Sequence, residues 1–203
     1  MKILVTGGAG FIGSNFLNLL VPRHPEHQFL NIDKLGYASN LHNLSAIEGC
    51  SNYHFARLDL TDVDGVNDCF EREAPDVVVH FAAESHVDRS IKSPTGFIQS
   101  NIVGTFNLLE AFRNASHTPS RFHHVSTDEV YGSLGPEGRF VEDSPYDPSS
   151  PYSASKAASA SISSVSKTLL SAFIACGRSS VTRPTRPRIS VKMLVYVMGI
   201  SLW

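Results

Sequence analysis

Lys2-Ile3-Leu4-Val5-Thr6 is a short apolar, β-prone run that stops at Gly7-Gly8, the pattern of a strand buried on both faces. From Gly10 to Leu20 the apolar positions Phe11, Ile12, Phe16, Leu17, Leu19 and Leu20 recur at helical spacing, and Pro22 ends the run. Phe29–Asp33 predicts a second strand, and Tyr53–Leu58 a third that ends at Asp59. Val63–Glu73 predicts a helix and Asp76–Phe81 a fourth strand. Pro94–Ala115 carries a long helical pattern through Phe97, Ile98, Ile102, Phe106, Leu108, Leu109 and Phe112, and Arg121–Ser126 predicts a fifth strand. Leu134–Ser150, rich in Gly, Pro, Ser and Asp, reads as an active-site loop. Strands that alternate with helices at this spacing predict an α/β fold: a doubly wound parallel sheet with helices on both faces. No internal repeat is visible. Beyond Ala160 the pattern fades. Ile162–Ile174 could continue a helix, Arg178–Arg188 looks unstructured, and Ile189–Ile200 is β-prone without turn context.

Composition adds a boundary to this pattern. A chain of 203 residues, 42% hydrophobic and 18% charged, suits one soluble domain with a sizeable core. Its net charge of -2 offers no electrostatic reason to expect nucleic acid or an anionic membrane as partner. The charge is uneven, however. Met1–Asp147 holds 10 Lys/Arg against 19 Asp/Glu, whereas Pro148–Trp203 holds 7 Lys/Arg and no acid. Serine crowds the same region, at 12 of the 32 residues from Ser149 to Ser180. Such a shift marks a domain division, with residues 1–159 as one unit and 160–203 as an atypical tail. Cys50, Cys69 and Cys176 have no CxxC spacing and read as free thiols in a reducing compartment. The start carries no signal-peptide pattern, and the longest apolar run, Met193–Trp203, is 11 residues, too short for a bilayer. The expected location is cytoplasmic.

Thr6-Gly7-Gly8-Ala9-Gly10-Phe11-Ile12-Gly13 stands where the first strand turns into the first helix. Gly7 and Gly10 allow a tight turn and a close backbone approach to a pyrophosphate. Gly13 lets the helix pack on the sheet, and Phe11 and Ile12 open the helix whose N–H groups face an anion. Asp33 closes the second strand 20 residues beyond Gly13, with Lys34 beside it. A carboxylate there binds ribose hydroxyls and repels a 2′-phosphate, which favours NAD over NADP as cofactor. Asp59 and Leu60 fall either at the adenine edge or in a surface turn where Asp59 caps the following helix. Phe81, Ala82 and Ala83 follow the fourth strand with small residues that admit the cofactor close to the backbone. His80 reads as a packed strand residue rather than a ligand.

Tyr152 and Lys156 lie four apart, on one face of a helix, and Ser126 ends the fifth strand upstream of them. An ammonium beside a phenol favours phenolate, which can take a proton from a sugar hydroxyl while the carbon loses hydride to nicotinamide. Ser85, His86 and Asp88, at the carboxyl edge of the fourth strand, are expected sugar or cofactor contacts, with local loop caps as the other reading. Asn101 and Thr105 either line the site or satisfy buried backbone.

The segments TGGAGFIGS (6–14), HFAAESHVDRS (80–90), NIVGT (101–105), STDEVYG (126–132) and YSASKAAS (152–159) resemble the extended short-chain dehydrogenase/reductase family, and within it the nucleotide-sugar 4,6-dehydratases. The resemblance implies a Rossmann-type domain that holds NAD and a nucleotide-diphosphate sugar, dTDP-glucose foremost, as substrate. It assigns Asp128 as acid, Glu129 as base, and Thr127 as a hydrogen-bonding partner of the sugar 4-hydroxyl beside Tyr152. Elimination of water across C5 and C6 needs one acid and one base, and adjacent carboxyls can be pushed to different pKa values. Family epimerases generally lack that pair. The resemblance also implies a homodimer paired through the Pro94–Ala115 and Pro151–Ile174 helices. It ends near residue 159. The fold is therefore expected to be truncated, without the C-terminal substrate domain, and the tail 160–203 to be out-of-frame or aberrantly spliced. A non-catalytic NAD-binding fragment, or an enzyme of another nucleotide sugar, are the competing readings.

Overall fold

The computed structural model describes residues 1–134, 138–141 and 143–176, with 165–176 as helix backbone alone. Five strands form one sheet: β1 (Lys2–Thr6), β2 (Gln28–Asp33), β3 (Tyr53–Arg57), β4 (Val77–His80) and β5 (Arg121–His124). All neighbours are parallel, in the order β3-β2-β1-β4-β5. The chain winds outward from β1 to β3, then crosses back to place β4 on the other side of β1. That reversal opens a crevice at the carboxyl ends of β1 and β4, where open α/β sheets bind ligands. The shared register, Thr6 opposite both Ile32 and His80, brings the three strand ends level there.

The helices are α1 (Phe11–Leu20), α2 (Val63–Glu73), α3 (Val87–Lys92), α4 (Thr95–Phe97), α5 (Gly104–Asn114) and α6 (Pro151–Cys176). A π-helical segment, Ile98–Val103, joins α4 to α5. Strand alternation sorts the core into two faces. Leu4, Val78 and Phe122 pack with Phe70 of α2 and with Leu108 and Phe112 of α5. Val5, Val79 and Phe29 pack on the other face with Leu17 of α1 and with Leu44 and Ile47 of the loop between β2 and β3. The doubly wound sheet is the architecture that the hydrophobic pattern predicts.

The differences are local. The fifth strand ends at His124: the Val125 N–H still donates to the His80 carbonyl at 3.2 Å, but the Val125 carbonyl turns to the Lys156 ammonium. The helix α3 carries no sequence signal strong enough to stand out between β4 and Pro94. Instead Ser90 of α3 makes the element structural: it is fully buried, its hydroxyl donates to the Val87 carbonyl, and it accepts from the Tyr152 N–H at 3.1 Å. The helical pattern after residue 159 is continuous with α6, where Ala160 and Ser163 are buried and Ile162 packs on the core. Arg178–Arg188 and Ile189–Ile200 lie outside the described residues, as does the side chain of Cys176. Cys50 and Cys69 are free thiols. Among the described residues no helix is long and apolar enough to cross a membrane.

Candidate active site

The first turn after β1 is shaped by what surrounds it. Gly7 has φ +70°, and a Cβ there would lie 2.6 Å from Ala82 Cα, so the β1 and β4 ends touch through bare backbone. A Cβ on Gly13 would meet the Gly7 carbonyl oxygen at 2.4 Å, which is how closely α1 sits on the turn. The N-terminus of α1 begins at Gly10 with no side-chain cap and no acid in its first turn, so its N–H groups and positive end stay available to an anion. Asn31 Oδ1 accepts from the Gly8 N–H at 3.1 Å, and Asp33 Oδ2 from the Ala9 N–H at 3.0 Å, so β2 locks the glycine turn from below. This is a cradle that fits a dinucleotide: a glycine turn, an uncapped helix end and an adjacent carboxylate.

Above it lies a cleft of about 370 Å³, within the range of small-molecule sites. Gly7, Gly10, Phe11, Ile12 and Gly13 line one wall. Asp33 and Lys34 line the next, with Asp59 and Leu60 beyond them. Phe81, Ala82 and Ala83 follow, and Ser126, Tyr152 and Lys156 close the far end. The structure thus brings together every residue that the sequence places at the cofactor. Asp59 resolves in favour of the cleft. Its Oδ1 accepts from the Thr61 N–H and hydroxyl, both at 3.0 Å, while Asp62 caps α2 by accepting from the Gly65 N–H.

Several lining residues were given no site role by the sequence. Tyr37, Ser39, Glu84 and Ser100 enter the cleft from loops and from the π segment. Ser39 donates to Asp33 Oδ1 at 2.9 Å, and the Leu35 N–H donates to the same oxygen at 2.8 Å. Lys34 bridges two elements, 3.1 Å from Glu84 and donating to the Ser100 hydroxyl at 2.6 Å. The Arg89 guanidinium stacks 3.6 Å from the Tyr37 ring centroid. These contacts tie the loop after β2 to the segment after β4 across the cleft. A search for aromatic–arginine pairs would have found Tyr37 and Arg89 only with the fold in hand.

Tyr152 and Lys156 are both buried at the start of α6. The Lys156 ammonium donates to the Val125 carbonyl at 2.8 Å, and burial pulls its pKa down to about 8. Beneath it His80 is neutral, pushed down to about 3 by burial and then by the Lys156 charge, and held between the Thr6 and Thr105 hydroxyls at 2.6 and 2.9 Å. His80 is a packed strand residue, as expected, and Thr105 serves it rather than the cleft. Asn101 likewise clips backbone, accepting from the Glu84 N–H and donating to the Glu84 carbonyl and the Ser155 hydroxyl.

The expectation that Lys156 lowers the Tyr152 pKa is not met in this geometry. Burial raises the phenol first, a hydrogen bond with Thr127 draws it partly back, and Glu129 and Asp128 raise it further. The reason is positional. The ammonium is taken up by the Val125 carbonyl, whereas the two carboxyls stand close enough to oppose a phenolate. Thr127, Asp128 and Glu129 stand beside the cleft rather than in its lining, on a 3-10 turn, Asp128–Tyr131, which Thr127 caps by accepting from the Glu129 N–H. Burial, then the Asp128 charge, raises the Glu129 carboxyl above its usual range. A raised carboxyl is the stronger base once ionised. Of the three further expected contacts, Ser85 lines the cleft, while His86 and Asp88 are exposed at the start of α3, off its lining.

Comparison with known proteins agrees with this geometry. The GDP-mannose 4,6 dehydratase family profile matches residues 4–191. A probable dTDP-glucose 4,6-dehydratase of Sinorhizobium fredii is 57% identical over 166 residues, covering 78% of this chain and 47% of the relative. The dTDP-glucose 4,6-dehydratase of Haemophilus influenzae is 52% identical, with 78% and 49% covered. The chain therefore spans about half the length of the curated relatives it matches. Among solved structures, the dTDP-glucose 4,6-dehydratase DesIV of Streptomyces venezuelae, with NAD bound, superposes with a TM-score of 0.78 at 40% identity, covering 84% of this chain and 53% of its own. A UDP-Glc/GlcNAc 4-epimerase of Campylobacter jejuni gives 0.76 at 31% identity, with 85% and 50% covered.

Proposed function

Because this chain belongs to the GDP-mannose 4,6 dehydratase family, we propose that it carries the cofactor-binding and catalytic portion of an NAD-dependent dTDP-glucose 4,6-dehydratase. The observation that supports dehydration over epimerisation is the adjacent acid pair Asp128 and Glu129, set beside Tyr152 through Thr127. Epimerases share the sheet, the cradle and the Tyr–Lys helix, so none of those decides between the two.

In this reading the glycine turn and the α1 N-terminus hold the NAD diphosphate, and Asp33 holds the adenosine ribose. Bound NAD supplies a hydride acceptor at the sugar C4 and later a hydride donor at C6. Tyr152, in its ionised form, takes the proton of the 4-hydroxyl and becomes the neutral phenol, with Thr127 orienting that oxygen. Lys156 lies buried at the same end of the cleft, its ammonium held on the Val125 carbonyl. Once C4 is a ketone the C5 proton is acidic; Glu129 removes it, and Asp128 gives a proton to the departing 6-hydroxyl. Ser85 contacts the sugar or the cofactor, and the exposed His86 and Asp88 reach a substrate only from the rim. Residues 1–159 act as the NAD-binding unit, and the compositionally atypical 160–203 begins inside α6, where Ala160, Ile162 and Ser163 still pack on that unit. The assignment carries a cytoplasmic location, in keeping with free thiols at Cys50 and Cys69. It also carries a homodimer, supported by the exposed apolar side chains Ile98 and Phe106 on the π segment and α5.

A second reading rests on the half-length coverage of relatives: an NAD-binding fragment that does not turn over. Incubation of the purified chain with NAD and dTDP-glucose, followed by assay for the alkali-absorbing 4-keto-6-deoxy product, separates the two. Product is expected, and Tyr152→Phe should reduce it about 10²–10⁴-fold. Equal product from both proteins refutes the site. NAD binding without product favours the fragment.

A further inference from the structure

The loop between α1 and β2, at the end of the strands opposite the cleft, carries His24-Pro25-Glu26-His27. Three donors converge there. His24 Nδ1 stands 3.2 Å from Glu26 Oε1 and His27 Nε2 stands 3.5 Å from the same oxygen. The two imidazoles lie nearly parallel, with an interplanar angle of 10° and centroids 5.6 Å apart, and one ligand atom of each of the three residues lies within 4.8 Å of the others. Tetrahedral zinc with bonds of about 2.0–2.2 Å has ligand–ligand edges of about 3.3–3.5 Å. Two of the three edges already have that length. The third, within 4.8 Å, closes by a small side-chain rotation of the half-exposed His24.

The loop is also preorganised. Asn52, buried between β2 and β3, points its amide into the turn and donates to the carbonyls of Val21, His24 and His27 at 3.0, 3.1 and 3.2 Å. That one side chain fixes the backbone of both histidines, so little ordering remains to be done on binding. His27 Nδ1 is buried without a hydrogen-bond partner, so the ring is oriented by packing, with Nε2 as its outward nitrogen.

We propose that His24, Glu26 and His27 bind one borderline divalent metal ion of the zinc class, with water in the fourth position. Two imidazoles and one carboxylate suit zinc, nickel or copper and disfavour magnesium and calcium, which take oxygen ligands. The ion would clip the end of α1 to the start of β2. Nothing about this loop depends on the cofactor cleft.

The test uses the full, tag-free chain stripped by chelator. Titration with zinc chloride, followed by calorimetry, should show one saturable equivalent, and cobalt should give visible ligand-field bands that zinc bleaches. Loss of a group that merely orients a metal ligand weakens such sites about 10–100-fold, so loss of a ligand itself, His24→Gln or His27→Gln, should weaken binding at least tenfold. Circular dichroism establishes that each variant is folded, and Glu26→Gln serves where one is not. Failure to bind one equivalent overturns the proposal. So does unchanged affinity in the His24→Gln, His27→Gln double variant, which would place the metal on thiols such as Cys50.

Discussion

Replacing Lys156 by Met separates the cost of burying a charge from the catalysis that the charge serves. In the folded chain the ammonium has a pKa of about 8, depressed by burial from 10.5. The folded state therefore binds fewer protons than the unfolded state between pH 8 and pH 10.5. Stability consequently rises with pH through that window, and the cost is fully present below it. Two and a half pKa units correspond to about 3 kcal/mol. Met keeps much of the volume and carries no charge. It also leaves the Val125 carbonyl without its donor, at a cost of about 1–3 kcal/mol that does not depend on pH. The decisive quantity is thus how the difference between variant and wild type changes with pH, because all other titrating groups cancel in it. Relative to wild type, Lys156→Met should lose about 3 kcal/mol of advantage from pH 7 to pH 10.5. At about 2–4 °C per kcal/mol for a chain of this size, the gap in melting temperature moves by roughly 6–12 °C. Thermal unfolding followed by circular dichroism at both pH values reads it directly. A gap that stays constant within about 1 kcal/mol would mean that Lys156 is hydrated in the folded chain, and the reading of the site beneath Tyr152 would fall with it.

Acid should destabilise the fold in the same sense, at lower pH, through the buried histidines. His80 is depressed to about 3 and His124 well below its usual value, both by burial first, so stability is lost as pH falls below about 6.5, and His80 alone accounts for about 2 kcal/mol at pH 5. His124→Phe removes a buried ring with neither nitrogen hydrogen-bonded, and urea midpoints from pH 7 to pH 5 should decline less steeply in it; an equal slope counts against the burial. Asn52→Ala strips donors from three carbonyls and should destabilise by about 2–3 kcal/mol in urea unfolding, a loss under about 1 kcal/mol showing that the clamp is ornamental. Arg89→Ala removes the stack on Tyr37, worth about 0.5–1 kcal/mol at an exposed site, and should speed NAD release about two- to fivefold in stopped-flow fluorescence; an unchanged rate would mean that the two loops do not clasp the cofactor.

The hydrophobic pattern determined the five strands, α1, α2 and α5, because periodicity and turn chemistry act over a few neighbouring residues; the switch point between β1 and β4 came from the pairing of distant strands. The glycines, Asp33 and the small residues after β4 were legible for the same reason: a backbone that must approach a pyrophosphate restricts each position by itself. Tertiary structure decided what depends on distant partners. Lys156 meets the Val125 carbonyl from 31 residues away, and Tyr152 is seated by Ser90 from 62 away. The direction of the Tyr152 shift followed from which charges share its burial, and that is set by solvent exclusion across the whole site. Whether Asp59 caps the helix or faces the cleft, and the clasp of Tyr37 with Arg89, were decided in the same way. Residue type and spacing told which groups could do the chemistry, and only packing decided which of them face one another away from water, where charge interactions become large enough to matter.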